Sequence, residues 1–111
     1  MNPEVEERLA ALRESFAESA SALDVAADHI SDSIAALNLR KAAREQRIPV
    51  GLLEILGGGQ QDCRVLELSA KRLDYAAERI SDPIVAECFR ESAAKHRSAL
   101  RQIEAILASM S

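Results

Sequence analysis

The 111-residue sequence predicts an all-α fold, a four-helix bundle built from two tandem pseudo-repeated helical hairpins, residues 19–47 and 69–97. Three observations lead there. The first is composition: 48% hydrophobic and 29% charged residues, rich in Ala, Leu, Glu and Arg, with only Phe16, Tyr75 and Phe89 as aromatics and no Trp, which is the profile of packed helices. The second is apolar periodicity in steps of three and four. The third is self-similarity at a constant offset of 50 without a gap. Of the 29 aligned positions 14 are identical; besides five alanines these are Ser19, Leu23, Asp24, Ile30, Ser31, Asp32, Ile34, Arg40 and Arg47, each repeated 50 residues on. Two unrelated hairpins converging on similar heptads would not readily reproduce Ile-Ser-Asp-x-Ile at the turn, so the repeat reads as a duplication.

The first helix starts at Pro3, a residue suited to a first turn, behind Asn2 as cap and with Glu4, Glu6 and Glu7 near the positive end of the dipole. Its seam runs through Val5, Leu9, Leu12, Phe16, Ser19 or Ala20, Leu23, Ala27 and Ile30. Ser31-Asp32-Ser33 breaks the helix, because Asp is a strong N-cap, and a second helix follows. Pro49 is expected to end or kink that helix soon after Arg47. The segment from Ile48 to Leu56 is then an apolar connector, open to a short separate helix because Leu53 and Glu54 echo Ile103 and Glu104, and closed by Gly57-Gly58-Gly59, the clearest hinge or linker in the chain. The third helix repeats the seam with Leu66, Ser69 or Ala70, Leu73, Ala76 or Ala77, and Ile80. Ser81-Asp82-Pro83 is the second turn, and the fourth helix continues through Val85, Phe89, Ser92 or Ala93, His96, Leu100, Ile103, Leu107 and Met110. The expected domain is therefore the whole chain: hairpin 1 over about 3–47, connector 48–59 and hairpin 2 over about 60–109, with both tight turns at one end.

In this register positions equidistant from a turn face each other. Asp24 is expected opposite Arg40, and Asp74 opposite Arg90, as two equivalent structural ion pairs. Cys63 and Cys88 fall at different heights, about 18 Å apart by helical rise, so reduced thiols are expected.

A net charge of −4 argues against nonspecific binding to nucleic acid or anionic lipid. With no apolar run of spanning length and no basic-then-apolar leader in the N-terminal residues, a cytoplasmic protein is expected. Arg40, Lys41, Arg44 and Arg47 form a basic face, but no aromatics interleave with them, and cations near a helix C-terminus complement its dipole. The carboxylates of Asp24 and Asp28, and of Asp74 and Glu78, lie one helical turn apart, a spacing open to acid/base work. No nucleophile or second histidine accompanies them.

His96 stands where the repeat places Gln46. One histidine in a helix of a short four-helix bundle resembles the histidine phosphotransfer domains, and the resemblance implies that His96 is a phosphoacceptor. The residues around it, Ala94-Lys95-His96-Arg97-Ser98-Ala99-Leu100, depart from that family, which has a small glycine-containing pattern after its histidine and exposes it on the second helix. A metal-binding bundle is a further alternative. It needs Glu-x-x-His spacing on facing helices, which the sequence lacks, and His29 and His96 are about 20 Å apart by helical rise.

The connector is the other candidate. Ile48, Val50, Leu52, Leu53, Ile55 and Leu56 are six large aliphatics in nine residues where a loop would be polar. They serve either to plug the open end of the bundle or to dock a partner. The expected function is accordingly non-catalytic: a small adaptor, regulator or inhibitor binding proteins through helix faces and this segment, as a homodimer and without a cofactor.

Overall fold

The computed structural model describes residues 3–54 and 60–110. They form four helices, α1 (Pro3–Asp28), α2 (Ser33–Glu54), α3 (Gln60–Arg79) and α4 (Pro83–Met110). The two tightest pairings are α1 with α2 and α3 with α4, so the chain is a bundle of two hairpins. Its extents are 48 × 23 × 16 Å. A 28-residue helix such as α4 is itself about 42 Å long, so the hairpins lie side by side rather than end to end.

Both turns are built alike. Asp32 Oδ1 accepts from the N–H groups of Ile34 (2.9 Å) and Ala35 (3.1 Å), and Asp82 Oδ1 from those of Ile84 (2.9 Å) and Val85 (3.4 Å). Each carboxylate thus satisfies donors that a helix start leaves without intrahelical partners. The preceding helices also end alike. Arg79 Nη1 donates to the Tyr75 carbonyl (3.1 Å), and His29 Nδ1 lies 2.8 Å from the carbonyl of Val25, the position equivalent to Tyr75. The residue types differ at 29 and 79, but both reach back four residues to a terminal carbonyl.

The core has two apolar clusters. Near the turns, Ala27, Ala35, Ala36, Ala42, Ala70, Ala77 and Ala93 bring the helices close, and Leu39, Leu73, Val85 and Phe89 fill the remaining space. At the other end Val5, Leu9, Leu53, Leu66, Ile103 and Ile106 pack together. Cys88 packs against the first cluster and Cys63 against the second.

Two expectations are corrected. Pro49 does not end the second helix: α2 runs through it to Glu54, and the proline is buried. Ile48 to Leu53 is therefore helix rather than connector, because burial of Leu53 in the end cluster (5% exposed) rewards the extra turn. Ile55, Leu56 and the three glycines lie outside the described residues.

The ion-pair register is also different. Asp24 pairs with Arg47 (2.5 Å), and Arg40 pairs with Asp28 (2.5 Å). Asp74 pairs with Arg97 (2.6 Å), while Arg90 pairs with Glu87 on its own helix (3.0 Å). Side chains lean toward the N-terminus of their helix. In an antiparallel hairpin those of the first helix lean away from the turn and those of the second lean back toward it. The long arginine therefore meets its partner from farther out than equal height suggests, by about one turn for Arg40 and about two for Arg47 and Arg97. Arg47–Asp24 and Arg97–Asp74 still form an equivalent pair of pairs at offset 50.

Candidate functional site

Between the two apolar clusters lies a buried polar layer made by Gln46 of α2, Ser69 of α3, and Ser92 and His96 of α4. Each occupies a seam position of its helix, so the heptad spacing that buries leucine elsewhere buries these side chains here. Phe16 of α1 covers the layer, its ring meeting the His96 imidazole edge-on at 5.2 Å between centroids and 72° between planes. Lys95 closes the outside, with Nζ donating to the Ser15 carbonyl (2.9 Å) and lying 5.1 Å from the centre of the Phe16 ring. Burial pushes the Lys95 ammonium below its usual range, against a smaller upward pull from Glu18.

Glu45 organises the layer. Its carboxylate accepts from Arg72 Nε and Nη2, both at 3.0 Å, and from the Ser69 hydroxyl at 2.6 Å. Burial on its own would raise this carboxyl, but the hydrogen bonds from Arg72 and Ser69 and the charges of Arg72 and His96 outweigh it and hold Glu45 below the ordinary value. The backbone carbonyl of the same residue lies 3.0 Å from His96 Nε2. Ser69 Oγ is 3.1 Å from Nε2, and the Ser92 carbonyl 2.7 Å from Nδ1.

His96 is fully buried, with 0% exposure. Burial lowers its pKa, the carbonyls of Ser92 and Glu45 and the Glu45 carboxylate pull it back up, Arg72 adds a small push down, and the net direction is downward. A phosphoacceptor needs a ring open to its donor. The phosphoacceptor assignment is therefore corrected: the ring sits under Phe16 with both nitrogens facing protein oxygens. Gln46, its counterpart, donates from Nε2 to Ser92 Oγ (2.7 Å), and its Oε1 is buried with no hydrogen-bond partner among the described residues.

The other sequence candidates are dispersed. Asp24 and Asp74 are engaged in ion pairs at the hairpin faces, and Asp28 holds Arg40. Cys88 is half-buried, and burial together with Glu91, Glu87 and Asp82 pushes its thiol up, which keeps it protonated at neutral pH. Among the described residues no three of His, Cys, Asp or Glu gather as a metal site would require. No described helix is long and apolar enough to cross a membrane. Of the connector, Leu53 is buried and Ile48, Val50 and Leu52 are half-buried.

Large apolar side chains are instead left in solvent near the turns, notably Ile84 (76% exposed), Ile34 (71%), Tyr75 (61%) and Leu37 (53%). Ile34 and Tyr75 border a groove of about 470 Å³ between α2 and α3, with Val85 and Phe89 of α4 also lining it. Lys41 and Arg79 line it as well, Arg79 lying 3.5 Å from the centre of the Tyr75 ring. Periodicity did not single out this groove. The signal was present in Ile34 and Ile84, apolar residues two positions after each capping Asp and outside the seam.

Comparison with known proteins finds no match: no family model fits the chain, and neither a curated protein nor a solved structure is significantly similar to it.

Proposed function

We propose that the protein is a non-catalytic interaction module, an adaptor, regulator or inhibitor that binds a protein partner or a second copy of itself through the groove between α2 and α3. One observation carries this reading: Ile34 and Tyr75 stand mostly in solvent beside a groove floored by Ala76, Ile80, Val85 and Phe89, with Lys41 and Arg79 balanced by Asp32 and Asp82 in its lining. Tyr and Arg around an apolar patch are the residue types enriched at protein interfaces. The partner's contribution is a helix or loop with an apolar residue for the groove.

This moves the docking surface from the apolar segment to the turn end. Leu53 belongs to the protein's own core, so Ile34, Lys41 and Tyr75 take the role.

The test is the double variant Ile34→Asp with Tyr75→Ala. Both side chains are exposed, so the melting curve should barely change, whereas partner recovery after cross-linking and self-association measured by light scattering should be lost. A protein that is strictly monomeric and recovers the same partners with and without the two substitutions would sink the reading.

A further inference from the structure

Pro49 has no N–H, so it cannot give the Glu45 carbonyl the bond that a helix residue gives the carbonyl four positions earlier. That carbonyl is the one His96 Nε2 approaches at 3.0 Å. The two chief disagreements between the hairpins are thereby chemically linked. Where α2 has Pro49, α4 has Ala99; where α4 has His96, α2 has Gln46. The hairpin with the unbroken helix carries the side chain that repairs the broken one.

A second weakness lies two residues on. Gly51 is helical, a Cβ built there meets nothing within 4 Å, and the counterpart is Arg101. No close contact requires glycine at this position, although glycine weakens a helix interior. The last turns of α2 thus contain the two poorest helix formers in close succession. They are held by the His96 bond from the other hairpin and by burial of Leu53 among Val5 and Leu9 of α1 and Leu66, Ile103 and Ile106 of the second hairpin.

We infer that His96 is a latch: the stretch from Pro49 to Leu53 is helical only while the second hairpin supplies the His96 Nε2–H to the Glu45 carbonyl. Opening the latch frees this stretch without unfolding the rest, and so makes Leu52 and Leu53 available. A neutral ring has one proton for two nitrogens that both face acceptors, Nδ1 the Ser92 carbonyl at 2.7 Å and Nε2 the Glu45 carbonyl at 3.0 Å, and the latch requires it on Nε2. There it faces both Glu45 O and Ser69 Oγ, whose own proton goes to the Glu45 carboxylate. The charged groups around the ring are Glu45 on α2, Arg72 on α3 and Lys95 on α4; α1 contributes the uncharged Phe16.

The inference does not depend on the groove and is tested on the isolated full chain by amide hydrogen exchange. In the native protein the amides of Val50 to Leu53 should exchange at least about tenfold faster than those of Leu100 to Ile103, their counterparts in α4. Pro49→Ala restores the missing donor and should slow exchange in Val50 to Leu53 by about tenfold or more, leaving the turn-end core unchanged. Gly51→Ala should slow it by about fivefold. His96→Leu should speed it, and Pro49→Ala in that background should recover most of the protection. Should His96→Leu fail to fold, nitrogen NMR of the native chain still decides whether Nε2 holds the proton that the latch needs. Equal exchange rates at 50–53 and 100–103, no slowing by Pro49→Ala, or nitrogen NMR placing the neutral ring's proton on Nδ1 would each overturn the latch.

Discussion

The second helices of the two hairpins, α2 and α4, bury matching positions and fill them differently, whereas in the first helices Ser19 and Leu23 are half-buried and Ser69 and Leu73 buried. In α2 the buried positions are 35, 36, 39, 42, 43, 46, 49 and 53; in α4 they are 85, 86, 89, 92, 93, 96, 99 and 103, each 50 residues on, and Ile106 beyond them. At these positions Leu39 stands against Phe89, Ala42 against Ser92, Gln46 against His96 and Pro49 against Ala99. In the partner helices Phe16 stands against Leu66. The differences are complementary. Phe16 of one hairpin packs on His96 of the other, Glu45 of one holds Arg72 and Ser69 of the other, and the carbonyl that Pro49 leaves open receives His96. Two hairpins whose second helices share a burial pattern can therefore make an asymmetric interface, because different side chains at equivalent positions let one hairpin complete the other.

The largest effect expected from disturbing this relation is Leu73→Asp. Leu73 is buried in the turn-end cluster, so an unpaired carboxylate there costs more than about 4 kcal/mol and should unfold the chain. The equivalent change, Leu23→Asp, falls on a half-buried side chain and should cost only about 1–2 kcal/mol, because the carboxylate can reach water. Circular-dichroism melts of the two variants measure the asymmetry directly; equal losses would mean that the hairpins are energetically interchangeable.

Acid should act next. The folded pKa of His96 lies below the ordinary 6.5, so below that pH the unfolded chain binds more protons than the folded one. Stability from this group is then complete above about pH 6.5 and falls as pH drops toward the folded value. Glu45, also lowered, adds a second loss beginning near its ordinary 4.5. Urea midpoints between pH 7.5 and 5 should therefore decline, and His96→Gln should flatten that part of the profile. An unchanged slope would assign it to other groups.

The smallest effects belong to the equivalent ion pairs. Arg47→Ala and Arg97→Ala remove partners that are both more than a third exposed, so each should cost less than about 1 kcal/mol, by similar amounts and less in high salt. A clearly larger loss for either would locate a difference between the hairpins that burial does not account for.

The four helices, both turns and the pairing into two hairpins were legible in the sequence because their causes are local. Steps of three and four define the seams, and Asp32 and Asp82 cap whatever helix follows them. The groove was not legible, since exposure of Ile34 and Tyr75 depends on where α2 and α3 come to lie. The layer was half legible: the pattern placed Gln46, Ser69, Ser92 and His96 on the seam, and it marked His96 as the odd residue. It did not indicate that Glu45, just beside the seam, would be the hub.

Pro49 marks the boundary between the two kinds of information. By itself the sequence determined that α2 has a weak point there, since a proline withholds a donor whatever surrounds it. Whether the helix stops or continues was decided only by the tertiary structure. A bond from His96, 47 residues away in sequence, and the burial of Leu53 are long-range terms that no local pattern contains.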